Sequence, residues 1–210
     1  MSQQPGPDAG IFIVDDDPAV RDALAIVLEQ AGFRVEGFED GAGYLKAVRD
    51  QLPACTILDV QMAGRTGLEI LRELNAEQFP SPIVIISGQG DIPKAVEAIK
   101  LGAFDFIEKP FDAQTVVVRV REAIEACERR GRAPPPADLS KEIPGYSSLT
   151  RREVEVLEQI SAGASNKEAG RELGISPRTI EVHRARIMEK LGAKNTADLV
   201  RIVLGAKRKP

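Results

Sequence analysis

Cysteine, histidine and long apolar runs are all scarce in this 210-residue chain, and each scarcity closes off a class of explanation. The two cysteines, Cys55 and Cys127, offer neither a disulfide framework nor a metal-ligand spacing, so buried or inert thiols are expected. The single histidine, His183, argues against a His-rich metal centre and against a phosphohistidine enzyme; it is read as a packing or hydrogen-bonding residue. No stretch approaches the roughly 18 apolar residues that a membrane span requires. The N-terminal SQQPGPDAG is polar and Pro/Gly-rich, unlike a secretory leader. A cytoplasmic protein with no membrane partner is expected.

What is present divides by charge. Residues 1–139 carry 14 Lys+Arg against 23 Asp+Glu, a net of -9, whereas 140–210 carry 14 against 9, a net of +5. An acidic domain followed by a basic, nucleic-acid-binding one fits that asymmetry.

From Gly10 onward, strand-like and helix-like segments alternate with short joins, the pattern of a doubly wound α/β domain with a five-stranded parallel sheet of flavodoxin-like order. The expected strands are 11–14, 33–38, 55–58, 82–86 and 104–107, and the expected helices 18–31, 41–50, 67–75, 91–101 and 112–130. Residues 131–147, GRAPPPADLSKEIPGYS, hold four prolines and two glycines without periodicity and read as a stiff, solvated linker. The expected organisation is therefore an α/β domain at 10–130, a linker at 131–147 and an all-α domain at 148–210. In the last, Thr150 with Glu153 and Ser165 with Glu168 form capping boxes, and Ser176 precedes a proline at a first helical position. They predict four helices, at 151–162, 166–173, 177–191 and 196–205, with the short join Gly174-Ile175-Ser176 as the turn of a helix-turn-helix.

The apolar run Cys55–Leu58 stops at Asp59, where a strand buried on both faces would end at the reactive edge of the sheet. Strand one ends in Asp15, Asp16 and Asp17, strand four in Ser87 and strand five in Lys109. Asp17, before Pro18, is an N-cap. Asp15, Asp16 and Asp59 would cluster, and their repulsion invites a hard divalent cation, with magnesium the best match. Phosphoryl transfer to Asp59 would need the three equatorial oxygens neutralised: one by a metal on Asp16 and Asp59, one by Lys109, and one by the Ser87 hydroxyl with nearby backbone N–H groups.

VDDD, ILDVQMAGRTG, the SG after strand four and DFIEKPF together make residues 10–128 resemble a response-regulator receiver domain. The stretch GQGDIPKAVEAIKLGAFDFIEKPF is similar to its FixJ-type branch. The resemblance implies that Asp59 is the phosphoacceptor, that Asp15, Asp16, Asp59 and the Gln61 carbonyl hold Mg2+, and that Ser87, Phe106 and Lys109 read out the phosphate. The sequence departs from the family at Ala63, where proline is usual, which leaves a more mobile loop expected there. It departs again at Phe106, where the frequent tyrosine would carry a hydroxyl.

The run from Leu149 to Asn195 resembles the LuxR-type helix-turn-helix, with Gly170 where alanine is usual. Glycine there costs up to about 1 kcal/mol of helix stability but keeps a close approach to the next helix. On the helix at 177–191, Ile180, Ile187 and Leu191 share a core face. Its N-terminus, with Ser176, Arg178 and Thr179, favours a phosphate. Glu181, Val182 and Ala185 are expected near bases, and Asn166, Lys167, Arg178, Thr179, Arg184 and Arg186 mainly on phosphates. The C-terminal AKRKP is short and basic and is read either as a non-specific aid to DNA binding or as a frayed end.

The expectation from the whole chain is a two-component response regulator. A sensor histidine kinase phosphorylates Asp59, the helix at 91–101 and the strand at 104–107 then form a homodimer face, and the dimer binds double-stranded promoter DNA and meets RNA polymerase. The chain would assist only its own phosphoryl transfer and dephosphorylation and would otherwise not be an enzyme. A regulator that binds DNA independently of phosphorylation is the alternative. A phosphate-handling enzyme would want a second acid where Gln61 stands, and a flavin carrier would not place three aspartates after strand one.

Overall fold

A computed structural model describes residues 10–88, 91–132 and 143–206 and divides into two compact units, Met1–Gly131 and Arg132–Pro210. In the first unit five strands, β1 (Ile11–Val14), β2 (Val35–Phe38), β3 (Cys55–Asp59), β4 (Ile83–Ser87) and β5 (Asp105–Glu108), alternate with helices α1 (Pro18–Gln30), α2 (Gly41–Asp50), α3 (Gly67–Glu73), α4 (Ile92–Lys100) and α5 (Ala113–Arg132). All pairings are parallel, in the order β2-β1-β3-β4-β5. This is the doubly wound arrangement expected from the alternation of segments.

The three inner strands are buried along their whole length, which is why they read as uninterrupted apolar runs rather than alternating ones. β2 is an edge strand whose Glu36 and Gly37 are exposed, and it begins two residues later than the alternation at 33–38 suggests. A fully buried Tyr44 bonds Thr56 through its hydroxyl (3.1 Å) and packs edge-on against Phe12 and Phe38, and burial, against the opposing bond to Thr56, lifts its phenol far above the usual range. Cys55 lies in the same interior and burial raises its thiol likewise, while Cys127 is half-buried.

Asp105, fully buried at the start of β5, is not apparent from the sequence pattern. Its carboxylate lies 3.7 Å from Arg119, which also pairs with Glu122 at 2.9 Å, so α5 is fastened to the sheet edge by charge.

The second unit holds α6 (Arg151–Ser161), α7 (Asn166–Leu173), α8 (Pro177–Leu191) and α9 (Thr196–Ala206), preceded by a 3-10 turn at Tyr146–Ser148. Both capping boxes form, and the Ser176 hydroxyl accepts from Thr179 N–H at 3.1 Å. The expected linker at 131–147 is shorter than its composition implies. Ile143 and Tyr146 are buried, and a Cβ on Gly145, at φ 83°, would lie 2.4 Å from the Lys190 carbonyl, so the second unit begins by residue 143. The linker's remainder at 133–142, the N-terminal 1–9 and the basic tail at 207–210 lie outside the described residues. No helix among the described residues is long and apolar enough to cross a membrane.

Candidate functional site

Asp59 is the last residue of β3, pairing with Ile86 of β4, and its side chain is only 6% exposed. Its Oδ1 accepts from Lys109 Nζ at 2.8 Å and its Oδ2 from the Gln61 N–H at 2.7 Å. The same ammonium lies 3.3 Å from Asp15 Oδ2, so one lysine at the end of β5 spans two buried carboxylates from β1 and β3. Asp15 Oδ1 accepts from the Asp17 N–H (2.9 Å), and Asp17 in turn caps α1 through Ala19 (2.9 Å), the role the sequence assigns it. Asp16 is exposed and reaches across to the loop after β3, where its Oδ2 accepts from the Ala63 N–H at 2.7 Å. The loop that lacks proline is thus held by a bond proline could not make, since proline has no N–H.

Ser87 ends β4 and is buried, and its carbonyl accepts from the Lys109 N–H at 2.7 Å. Phe106 pairs in register with Ile85, two residues before Ser87, so Phe106 and Ser87 share one face of the sheet; Phe106 is half-buried. Gly67, the first residue of α3, is required on steric grounds: a Cβ there would lie 2.4 Å from the Asp59 carbonyl oxygen. The glycine therefore lets α3 start directly against the residue that bears the reactive carboxylate.

Burial raises the Asp59 carboxyl above its ordinary value, and Asp15 adds to this, while Lys109 and the Gln61 N–H oppose it without cancelling it. For Lys109, burial alone would favour the neutral amine, but the bond to Asp59 and the charges of Asp59 and Asp15 outweigh it and hold the ammonium above its usual range. The lysine is thus firmly charged. Two buried carboxylates share the Lys109 ammonium and a third, Asp16, stands nearby on the Ala63 N–H, so acidic side chains outnumber the lysine at this edge and offer hard oxygen donors. That donor set suits magnesium, which takes one or two carboxylates and keeps waters. With Asp16 turned toward Ala63, no three acidic, histidine or cysteine side chains among the described residues converge into a cage of their own.

In the second unit α7 and α8 are joined by the tight turn at Gly174, in the left-handed conformation at φ 67°. A Cβ on Gly170 would stand 2.6 Å from the Ile175 carbonyl, so the glycine admits the turn itself. The model of the response regulator receiver domain matches residues 11–121, and that of the luxR family of bacterial regulatory proteins matches residues 147–203.

The chain is a two-component response regulator.

Its relatives agree along nearly the whole length. It is 43% identical to the transcriptional regulatory protein FixJ of Bradyrhizobium diazoefficiens over 93% of this chain and 95% of that one. It is 40% identical to the response regulator protein TodT of Pseudomonas putida, over 91% and 84%. Among solved structures, full-length FixJ from B. japonicum is similar at 40% identity and a TM-score of 0.56, covering 98% of this chain and 100% of that one. The response regulator controls transcription through its LuxR-type helix-turn-helix, and neither matching family is an enzyme family.

The regulator's expected DNA contacts separate by position. Lys167, Arg178, Glu181 and Ala185 are exposed, and the last three lie along one face of α8. Asn166 and Ser176 are half-buried at helix starts, and Asn166 bonds both Glu181 (3.4 Å) and Arg184. Three of the residues expected at DNA lie buried or turned inward. Thr179 is fully buried with its hydroxyl on Ser176 (2.8 Å), and Val182 is 8% exposed, so both belong to the interior because α8 buries a wider stripe than its aliphatic residues alone indicate. Arg186 is turned inward onto Glu153 at 3.2 Å. Arg184 is also engaged, with Thr196 at 2.5 Å. His183 is buried, in accord with a packing role.

Glu153 is the residue whose importance the capping pattern understates. Fully buried, it closes the box with the Thr150 N–H (2.8 Å) and also receives Lys190 (2.7 Å) and Arg186 from α8. A charged residue at the third helical position ahead of an apolar run was the available signal, and it pointed only to the cap.

Proposed function

We propose that Asp59 accepts a phosphoryl group from the phosphohistidine of a sensor kinase and that this modification governs dimerisation and DNA binding. The Lys109 bridge between two buried carboxylates carries this reading. In the transfer, a carboxylate oxygen of Asp59 forms a bond to phosphorus in line with the breaking P–N bond, and the departing imidazole keeps the bonding pair. Lys109, already on Asp59 Oδ1, neutralises one phosphoryl oxygen; the Ser87 hydroxyl donates to another. Asp15, Asp16, Asp59 and the Gln61 carbonyl would hold Mg2+, which when bound supplies positive charge to the phosphoryl oxygens. Readout runs through Ser87 and Phe106, which lie on one sheet face and require no tyrosine hydroxyl for an aromatic ring to fill or leave a pocket.

The added charge of about -1.5 to -2 then biases the receiver toward a state in which α4 and β5 form a symmetric dimer face. Two α8 helices meet half-sites about one helical turn apart. Glu181 and Ala185 lie nearest bases, Lys167, Arg178 and Ser176 lie on phosphates, and the bound dimer contacts RNA polymerase. Incubation with acetyl phosphate and Mg2+, followed by peptide mass spectrometry after borohydride trapping, tests the acceptor. The homoserine that borohydride leaves from an acyl phosphate is expected at position 59 alone and is absent from Asp59→Asn; the same product elsewhere, or none, overturns the assignment.

A further inference from the structure

Asp15 and Asp16 are consecutive, and consecutive residues of a strand point to opposite faces of a sheet. Here both serve the same edge: Asp15 reaches Lys109, and Asp16 reaches Ala63 in the loop after β3. They do so only because the peptide between them leaves strand geometry, with β1 ending at Val14. The carbonyl of that peptide, on Asp15, accepts from Arg21 Nη1 at 2.7 Å. Arg21 thus grips the hinge between the two acids. On the other side of the hinge, the Asp15 N–H donates to the Phe38 carbonyl of β2 (3.2 Å).

The position of Arg21 is unfavourable for a helix on its own terms. It lies one turn into α1, near the helix end whose dipole favours acids over cations, and its own N–H is already bonded to the Asp17 carbonyl at 3.1 Å. Its side chain does not simply extend into water. The stem lies beside Gly37 of β2, where a Cβ would come within 3.7 Å of Arg21 Cδ, and the guanidinium is carried back to the strand end.

We propose that Arg21 is a positioning residue for the metal-binding acids, fixing the Asp15–Asp16 peptide so that both carboxylates face one cation. The inference rests on the magnesium reading above. It opposes simple electrostatics, because a fixed positive charge beside a cation site weakens binding; if charge were all Arg21 contributed, removing it would tighten the site.

Titration calorimetry of the full chain with MgCl2 separates the two. Arg21→Met is expected to weaken Mg2+ binding by about tenfold or more, the scale of lost support behind a metal ligand. Arg21→Lys, which keeps a donor on a long stem, is expected to recover most of the loss. In metal-free protein, the Asp16 amide nitrogen resonance, which reports the hydrogen bond on the preceding carbonyl, is expected to move in Arg21→Met. Unchanged or tighter binding by Arg21→Met overturns the inference while leaving the magnesium site standing. If wild type itself binds no Mg2+, the magnesium reading fails and this inference with it. Should Arg21→Met lack the wild-type far-UV CD spectrum, Arg21→Gln removes the same charge on a stem too short for the carbonyl and is judged by the same criterion.

Discussion

Replacing Glu153 by alanine is expected to destabilise the DNA-binding unit far more than the loss of a helix cap would. The carboxylate is fully buried and receives the Thr150 N–H, Lys190 and Arg186 at once. Losing the reciprocal capping bond costs about 1 kcal/mol. Stranding a buried charge costs about 3–5 kcal/mol, but Lys190 and Arg186 retain 24% and 15% of their exposure and regain some hydration, so roughly 2 kcal/mol is the fitting share. The total of about 3 kcal/mol compares with a stability of about 5–15 kcal/mol for a whole small domain. In a unit this small it lowers the melting temperature by roughly 12–24 °C. Thermal unfolding of the full chain followed by circular dichroism, with Glu153→Gln as the charge-free near-isostere, reads the effect. Glu153→Gln should fall between wild type and Glu153→Ala. A shift under about 3 °C for Glu153→Ala would show that the two cations find equivalent partners and that the buried charge does not hold α8 on α6.

Because burial raises the Asp59 carboxyl, the folded state binds its proton more readily than the unfolded chain. This group's contribution to stability is therefore greatest below about pH 4 and declines as pH rises through the folded value. Asp59→Asn in metal-free buffer should accordingly raise the melting temperature at neutral pH and give no gain near pH 3; equal gains at both would contradict the sign. Lys109→Met removes the cation shared by Asp15 and Asp59, so the Asp59 carboxyl, followed by carbon NMR, should titrate still higher than in wild type, and an unchanged titration would mean that Lys109 does not bridge the pair in solution. Gly67→Ala places a Cβ 2.4 Å from the Asp59 carbonyl, so it should cost about 1–3 kcal/mol and slow phosphorylation by acetyl phosphate. Wild-type stability and rate in that variant would show that α3 withdraws freely.

The architecture was legible because local signals agreed with one another. The apolar inner strands, the caps at Asp17, Thr150, Ser165 and Ser176, and the closing Gly174 all mark element ends within a residue or two of where they fall. Asp15, Asp59 and Lys109 were legible for the same reason: strand ends in a doubly wound sheet meet at one edge. What escaped depends on main-chain partners or on long-range packing. Arg21 reads as an ordinary helix-surface cation, and the tie from Ala63 to Asp16 is a backbone donor with no side-chain signature. Thr179 and Arg186 carry polar side chains that suggest an outward face, yet the capping hydroxyl and Glu153 draw them inward. Ile143 and Tyr146 were masked by the prolines around them.

Conversion of one buried carboxylate, Asp59, to an acyl phosphate is proposed to control occupancy of DNA by the other unit. Gel-shift titration of upstream DNA, with and without acetyl phosphate and for wild type and Asp59→Asn, addresses it directly. Affinity should rise only for donor-treated wild type, with the other three samples equal and weak. Equal affinity in all four would contradict the account and favour a regulator that binds its operator without phosphorylation.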